Sequence, residues 1–326
     1  MFRGYKAMSS RKTSKSRQFH LTLPASSANL GSAFDAAALA LSLFLKLSAK
    51  AAPEFSVEAR GRDREICGRL ENHLILTTYR DVLEQERKPL IPLALRIENE
   101  IPIGKGCGSS AAARLAGVGL ANHFGGLRWT DDRIVGEVAS REHHADNAAA
   151  CWMGGLVIAR MADDGQAQMA CIAPKGHWPL LLVISDEALP TEEARGVLPE
   201  QYSRTDVVTN IQNSMLLLAA FTEGRRDWLA SALADRIHQP YRSTLCPLLP
   251  ALQSLTGTKG ISGVALSGAG PSVLIFLNPK LNVTKVRKRI REHLEAHGLS
   301  AQLITTRIAT RGGSPRSPHH GPSNGD

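Results

Sequence analysis

The chain has 326 residues, a formal net charge of +9 and 43% hydrophobic residues, which fit a soluble globular protein and exclude collagen, coiled coil and wholesale disorder. The positive excess lies at the two ends, since residues 1–20 carry six basic residues and no acidic one. A folded nucleic-acid-binding domain carries such an excess on its body, so we expect no nucleic-acid partner. Five cysteines without CxxC spacing predict neither a disulfide framework nor a zinc site, and they suit a reducing cytoplasm.

Composition divides the chain into four parts. Residues 1–18 form a basic Ser/Lys/Arg-rich leader and residues 311–326 a Gly/Pro/Ser-rich tail. Neither has the apolar content of a folded segment, so both are predicted to be disordered. A composition break at 174–176 separates a first domain, residues 19–175, from a second domain, residues 176–310.

Hydrophobic periodicity predicts strands and helices in an irregular order. Residues 36–49 resemble a signal-peptide core, but they begin late, contain Lys46 and are too short to span a bilayer. Their alternating leucines predict a buried strand, and we expect no membrane partner. Strands are predicted at 20–24, 40–49, 54–59, 92–98, 155–160, 167–173, 179–185, 262–267 and 272–277, and helices at 70–86, 109–124, 131–142, 206–222, 226–237, 247–255 and 283–297. The order indicates an α+β protein rather than a βαβ repeat.

The most informative segment is IPIGKGCGSSAAA, residues 101–113, in which three alternate glycines precede two serines and an Ala/Leu-rich helix. Glycine lets backbone N–H groups turn toward an anion, and the helix N-terminus adds partial positive charge. Ser109 or Ser110 can cap the helix, and a serine hydroxyl can also ligate a phosphate-bound Mg²⁺. Neither the Walker A pattern nor the dinucleotide fingerprint is matched. The segment predicts a polyphosphate site, with a plain helix start as the alternative.

A second glycine-rich segment is GVALSGAGPSVLIF, residues 263–276. By itself it predicts two strands joined by a turn. Paired with the first glycine loop, it could close over a bound nucleotide.

Polar residues gather in two further segments and around two arginines. PASSANLGSAFD, residues 24–35, contains Asn29 and Asp35, and EHHADN, residues 142–147, enters an apolar Ala/Gly run. The second segment indicates polar groups that face a cavity, with an ordinary helix end as the alternative. Arg195 and Arg242 carry planar forks that match a carboxylate or phosphate, although solvated arginines remain the alternative and the sequence alone does not bring the two together.

In this order, PASSANLGSAFDA, IPIGKGCGSSAAA and VALSGAGPSV resemble the three motifs of the GHMP small-molecule kinases. EHHADNAAACWMGG, LPTEEARGVLP and DRIHQPYRSTLCP resemble segments of the homoserine kinases within that superfamily. The resemblance implies two domains, the first like ribosomal protein S5 domain 2 and the second ferredoxin-like. It implies ATP-dependent phosphorylation of L-homoserine to O-phospho-L-homoserine in threonine biosynthesis, with Mg²⁺ as cofactor and a possible homodimer.

The resemblance also implies roles for particular residues, without a catalytic base. Ser110 and Glu142 would hold Mg²⁺, with Glu137 as the alternative carboxylate, and Asn147, Arg195 and Mg²⁺ would stabilise the transferring phosphoryl group. The expected substrate-binding residues are Asn29, Asp35, His144, Asp146, Asn147, Arg195 and Arg242. The expected nucleotide-binding residues are Pro102, Ile103, Gly104, Lys105, Gly106, Cys107, Gly108, Ser109, Ser110, Ala111, Ala112, Gly268 and Gly270.

Four residues depart from the motifs of the family. Ala33, His143, Ala145 and Cys107 stand where the family pattern has Gly, Gly, Pro and Leu. A positive φ at Ala33 would be unfavourable. We therefore keep two alternatives open: a GHMP kinase for another small alcohol such as mevalonate or shikimate, and an idle GHMP-like binding protein.

Overall fold

The computed structural model describes residues 18–187, 189–258 and 260–314. The predicted leader and tail therefore fall largely outside the described residues, at 1–17 and 315–326. The strands are β1 Gln18–Asn29, β2 Ala33–Ala51, β3 Ser56–Gly61, β4 Leu93–Asn99, β5 Leu156–Met161, β6 Ala167–Ile172, β7 Pro179–Ser185, β8 Ile261–Leu266, β9 Val273–Leu277 and β10 Ala301–Arg307. The helices are α1 Arg64–Cys67, α2 Leu74–Gln85, α3 Ser109–Phe124, α4 Asp131–Glu142, α5 Asp146–Met153, α6 Thr191–Gly196, α7 Arg204–Glu223, α8 Leu229–Ala232, α9 Gln239–Arg242, α10 Leu248–Gln253 and α11 Val283–Ala296.

The first sheet has six strands in the order β3-β4-β2-β5-β6, with β1 paired to β2. β2 is long enough to pair with β1, β4 and β5, all antiparallel, so it is the central strand of the sheet. Its alternating leucines Leu39, Leu41, Leu45 and Leu47 are all buried. The interpretation of residues 36–49 as a core strand is thus correct.

The second sheet has four antiparallel strands in the order β10-β7-β9-β8. Its chain order places helices between β7 and β8, a direct connection from β8 to β9, and α11 between β9 and β10. This is the ferredoxin-like arrangement. The predicted composition break at 174–176 lies between β6 and β7, the strands that end the first sheet and begin the second.

One hydrophobic core extends across both sheets. The largest cluster of buried residues runs from β1 and β2 to Leu180 and Leu182 of β7, Phe221 of α7 and Phe276 of β9. A second cluster fills the opposite face of the second sheet, under α10 and α11. Successive side chains of β7 point to opposite faces of the sheet, so they alternate between the two cores. Of the helices in the described residues, none has the length and apolar character needed to cross a bilayer.

The predicted elements differ from the structure mainly between β7 and β8. The helix predicted at 226–237 is wrong, because only a 3₁₀ turn at 226–228 and the single turn of α8 form there. The Asp235 carboxylate accepts from the N–H groups of Ile237 and His238, which favours a turn over a continuing helix. β10 and four short helices (α1, α5, α6 and α9) were not predicted.

The segment after β10 packs against the first sheet's helices as far as Ser314. Ser314 donates through its backbone N–H to Trp152 O at 2.8 Å and through Oγ to Asp131 Oδ2 at 2.9 Å. Trp152 Nε1 donates to the other oxygen of Asp131 at 2.8 Å. The first four residues of the tail predicted from 311 are therefore packed, because a carboxylate, an indole and the end of α5 give their polar groups partners.

Candidate active site

The glycine loop leaves the N-terminus of α3 open toward a cavity. Gly104, Gly106 and Gly108 all have positive φ values of 68°, 71° and 69°, a region that glycine occupies without steric cost. The expectation that Ser109 or Ser110 caps α3 is wrong, because Gly108 is the N-cap and no side chain bonds there. The first N–H groups of α3 have no intrahelical partner, and such a helix end favours a nearby anion.

Backbone contacts join the glycine loop to the second glycine-rich segment. Ser267 Oγ donates to Gly106 O at 2.8 Å. A Cβ on Gly106 would lie 2.6 Å from Gly270 O and would also collide with Ser267 O. Gly268 N–H donates to Ala28 O at 3.1 Å, so the three motif segments meet at one point.

Two side chains of the loop have structural roles. Cys107 is buried, and burial is the main cause that raises its pKa to about 12, so its thiol stays protonated. It fills an apolar position, as the family's leucine would. Lys105 reaches away from the loop, where Nζ donates to Asp186 O at 2.6 Å.

Ser110 and Glu142 lie together at the start of α3, as expected. Ser110 Oγ donates to Glu142 Oε1 at 2.5 Å, and Arg114, one turn further along α3, donates to the same oxygen at 2.9 Å. Glu137, the alternative carboxylate, instead pairs with Arg141 at 2.8 Å. A hydroxyl and a carboxylate are hard oxygen donors, and Mg²⁺ in kinase sites takes few protein ligands beside phosphates. Ser110 and Glu142 therefore fit a Mg²⁺ ion.

The EHHADN segment places a buried carboxylate at the start of α5. Asp146 Oδ1 accepts from His144 Nδ1 at 2.9 Å and from the Asn147 N–H at 2.7 Å. Burial lowers the pKa of His144, but its hydrogen bond to Asp146 and nearby carboxylate charges outweigh burial, so the pKa lies above its usual value. Asn147 Oδ1 accepts from Ser26 Oγ at 2.8 Å, which ties this segment to β1.

Asn29 and Asp35 lie on either side of the β1–β2 turn. Asn29 donates to Gly268 O at 2.8 Å, and its Oδ1 accepts from the Asp35 N–H at 2.9 Å. Both groups of the Asn29 amide are therefore used to hold the turn. Asp35 pairs with Arg195, whose guanidinium lies 2.8 Å and 3.0 Å from the two carboxylate oxygens.

Two of the sequence departures have clear structural outcomes. Ala33 does not have the positive φ that would be unfavourable for it; the positive values in this turn fall on its neighbours, including Asn29 and Asp35. His143 does have positive φ, 65°, where it ends α4. A histidine there adopts a conformation that costs a residue with a Cβ more than it costs glycine.

Arg242 is the largest fully buried side chain in the described residues and is 1% exposed. Its Nε donates to Ala194 O at 2.8 Å, and it forms no ion pair with any carboxylate in the described part of the chain. Burial, reinforced by the like charge of Arg195, lowers the pKa of Arg242, although an arginine keeps its charge. Both guanidinium groups lie near the ring of Phe34, at 5.7 Å for Arg195 and 5.2 Å for Arg242.

A single cavity of about 930 Å³ joins these groups. All seven expected substrate-binding residues line it, as do Ser110 and Glu142. From the expected nucleotide loop, residues 103, 104 and 106–112 line it together with Gly268 and Gly270, whereas Pro102 and Lys105 do not. The structure thus brings together Arg195 and Arg242, which the sequence alone could not join.

The far end of the cavity was missed by sequence reasoning. Apolar side chains contribute much of this lining: Ile66, Cys67, Ile97, Ile101 and Ile103. Polar groups come from Arg69, Glu71, Asn72 and His73 in the stretch between α1 and α2. Ile66 is 55% exposed although it is a large apolar residue, so its surface faces the cavity rather than a core. Ile103 was expected from the glycine loop, but the residues from α1, from β4 and from the stretch between α1 and α2 carry no local motif. Arg114 was also missed, and its spacing of four residues from Ser110 on α3 was the available signal.

Comparison with known proteins agrees with this arrangement. The family described as GHMP kinases N terminal domain matches residues 73–155, and the one described as GHMP kinases C terminal matches residues 217–296. A homoserine kinase of Solibacter usitatus is 40% identical over 90% of this chain and 96% of that protein. One of Synechocystis sp. is 34% identical over 90% and 97%, respectively.

Among solved structures, a homoserine kinase from Cytophaga hutchinsonii has the same fold, with a TM-score of 0.77, 21% identity, and coverage of 92% of this chain and 97% of that one. A nucleotide-sized cavity, a glycine loop before a helix and matches to both family domains define a small-molecule kinase of the GHMP class, which uses ATP. Within that class, the chain belongs to the homoserine kinase family. The α+β fold and the ATP use expected from the sequence are confirmed.

The contact at Gly106 predicts a substitution that weakens nucleotide binding. Gly106→Ala would add a Cβ against Gly270 O and strain a φ of +71°. We expect the affinity for a non-hydrolysable ATP analogue, measured by calorimetry, to fall by at least about tenfold, or about 1.4 kcal/mol. Gly126→Ala is the matched control, since its φ is +64° and its Cβ would meet nothing within 4 Å. Equal nucleotide affinities in the two variants would contradict the prediction.

Proposed function

We propose that this protein transfers the γ-phosphoryl group of ATP to the hydroxyl of L-homoserine and forms O-phospho-L-homoserine for threonine biosynthesis. One observation carries the choice of substrate: the buried cation of Arg242, without a described carboxylate partner, faces the same cavity as the open N-terminus of α3. A buried charge is costly unless it is paired. The carboxylate of an amino acid would pair it.

The groups around Phe34 suit a small zwitterion. Arg242 would bind the substrate carboxylate, and Asp35 and Asp146 offer negative charge to its ammonium group. Arg195 and Asp35 form a partly exposed pair, at 35% and 32% exposure of their side chains. An arriving ammonium would take over Asp35, which would leave Arg195 able to join Arg242 at the substrate carboxylate and to contact the transferring phosphoryl group.

Phosphoryl transfer depends on alignment and charge neutralisation more than on a strong base. The N–H groups at the start of α3 would hold the phosphates, and Ser110 and Glu142 would hold Mg²⁺, which when bound neutralises phosphate charge. Asn147 and Arg195 would contact the transferring group. The apolar end of the cavity, with the amide of Asn72, would receive the adenine.

The proposed contacts of Arg195 and Arg242 with homoserine are tested by steady-state kinetics. Arg195→Ala and Arg242→Ala should each raise KM for homoserine by about ten- to a hundredfold, because hydrogen bonds to charged groups are worth about 1.5–3 kcal/mol. KM for ATP should stay within about twofold, since neither arginine lies at the glycine loop.

Arg225→Ala is the matched control, because Arg225 pairs with Asp227 at 2.6 Å and is half exposed. An unchanged homoserine KM in both site variants would contradict the arginine assignment. A wild-type enzyme that phosphorylates mevalonate or shikimate better than homoserine would favour another GHMP kinase. Absence of turnover with every alcohol, together with salt-dependent DNA binding, would favour an idle binding protein.

If Glu142 rather than Glu137 holds Mg²⁺, substitutions of the two residues should affect the Mg²⁺ dependence of activity differently. Glu142→Gln removes a charged oxygen ligand and should raise the Mg²⁺ concentration for half-maximal activity by about tenfold or more. The Mn²⁺ affinity of the complex with an ATP analogue should fall in parallel. Glu137→Gln is the control and should leave both quantities unchanged. The opposite result would assign the metal to Glu137.

We also propose that the protein forms a homodimer through α7. Residues 207–222 carry no charge, yet Val208, Ile211 and Met215 lie on one exposed face, with Met215 65% exposed. An uncharged exposed helix face is unusual for a solvated helix. In an antiparallel pair about a twofold axis, Arg204 at the start of one α7 would meet Glu223 at the end of the other, so the face is complementary to a second copy.

The dimer is tested by sedimentation equilibrium at micromolar concentration. Ile211→Asp places a charge at the centre of the face and should convert the wild-type dimer into a monomer. Leu281→Asp is the matched control, because Leu281 is also exposed, at 42%, but lies next to α11. A monomeric wild type, or a dimer unaffected by Ile211→Asp, would contradict the interface.

Two further expectations remain proposals. We propose that the boundary between the domains lies at residues 175–176, in the connection between β6 and β7. A cytoplasmic location is supported by the five cysteines, all of which are free and so suit a reducing compartment.

A further inference from the structure

A buried histidine lies directly behind Arg242. His238 is fully buried and immediately precedes α9. Its Nε2 lies 2.8 Å from Gly31 O, and its Nδ1 lies 3.2 Å from a terminal nitrogen of Arg242. A carbonyl can only accept and a guanidinium can only donate. The contacts therefore assign the hydrogen to Nε2 and an acceptor lone pair to Nδ1.

The surroundings keep this imidazole neutral. Burial is the largest influence and lowers the pKa of His238; Asp235 opposes it, and the charge of Arg242 lowers the pKa further. Asp235 Oδ2 lies 3.5 Å from Nε2 of His238, but the carboxylate is already occupied, since it accepts from the N–H groups of Ile237, His238 and Gln239. A neutral ring is required here, because only the neutral form offers an acceptor to a cation.

Contacts with His238 and its neighbours fix the orientation of the Arg242 guanidinium. Nε of Arg242 donates to Ala194 O at 2.8 Å, and a terminal nitrogen donates to His238. Phe34 stacks on the His238 ring at 5.1 Å and lies under the Arg242 guanidinium at 5.2 Å. The inner edge of the fork is thus satisfied by protein acceptors, while the side chain lines the cavity.

We propose that His238 is a positioning residue that aims the fork of Arg242 at the substrate carboxylate and fixes it relative to the Gly31 turn. This inference rests on the proposed function, in which Arg242 binds that carboxylate. The Gly31 turn lies between Asn29 and Asp35, so one imidazole sets the distance between the carboxylate-binding and ammonium-binding sides of the pocket. Neither of its two hydrogen bonds touches the nucleotide loop.

Two substitutions separate the two bonds of His238. His238→Asn keeps an acceptor near the position of Nδ1 and loses the donor to Gly31, whereas His238→Gln keeps a donor near the position of Nε2 and loses the acceptor for Arg242. We expect His238→Gln to raise KM for L-homoserine roughly tenfold or more, the loss of a hydrogen bond to a charged group. His238→Asn should recover most of that loss, and KM for ATP should not change in either variant.

Ser32→Ala is the matched control. Ser32 is buried in the same turn and donates to Ala232 O at 2.7 Å, but it does not contact Arg242. It should lower the melting temperature without changing KM for homoserine. Equal homoserine KM in His238→Gln and Ser32→Ala, or a greater loss in His238→Asn than in His238→Gln, would overturn the proposal.

A measurement that is independent of activity completes the test. The ¹⁵N NMR signals of the His238 ring in the wild-type protein should show hydrogen on Nε2 and an unprotonated Nδ1. Hydrogen on Nδ1 would overturn the proposal even if homoserine is the substrate. Failure of the wild type to use homoserine would instead overturn the proposed function, while the ring signals would still decide the arrangement of His238 and Arg242.

Discussion

The site depends on a close backbone approach at Gly106. Because this residue has no Cβ, the loop before α3 can lie against the Ser267–Gly270 turn, and Ser267 bonds directly to it. The same turn also bonds to β1 through Gly268. Segments far apart in sequence are thereby held at fixed distances, which a phosphoryl-transfer site requires because it acts by alignment. Buried residues of both sheets also pack into one core, which joins the two halves of the site.

The parts of this molecule that were predictable from sequence are those with a local pattern. The alternating leucines of β2 gave its strand, and the apolar spacing of α11 gave its helix, because both depend on periodicity alone. The glycine loop indicated a polyphosphate site for an equally local reason, since its backbone conformation and its helix are adjacent in sequence. The resemblance to a family then supplied the substrate side, including Arg195 and Arg242, and the structure brings these residues to one cavity.

The parts that escaped prediction depend on distant partners. β10 forms because it pairs with β7 at the edge of the second sheet. Apolar and polar residues alternate only weakly in its own sequence. The helix predicted at 226–237 failed because Asp235 bonds to the backbone ahead of it, which a count of apolar spacing does not register. The sequence analysis assigned no role to His238, because the residue that its ring contacts, Gly31, is 207 residues away. Ile66 and Asn72 line the same cavity only because the fold brings α1 and β4 together.

The packed segment after β10 bears on how this protein should be handled. Ser314, Trp152 and Asp131 form one hydrogen-bonded cluster at the end of α5, the helix whose first residues are Asp146 and Asn147. A chain that ended before Ser314 would leave Trp152 O and Asp131 Oδ2 without the hydrogen bonds that Ser314 donates, and it would expose the Trp152 indole. A purification tag or fusion partner therefore belongs beyond this residue, where it leaves α5 anchored at both of its ends.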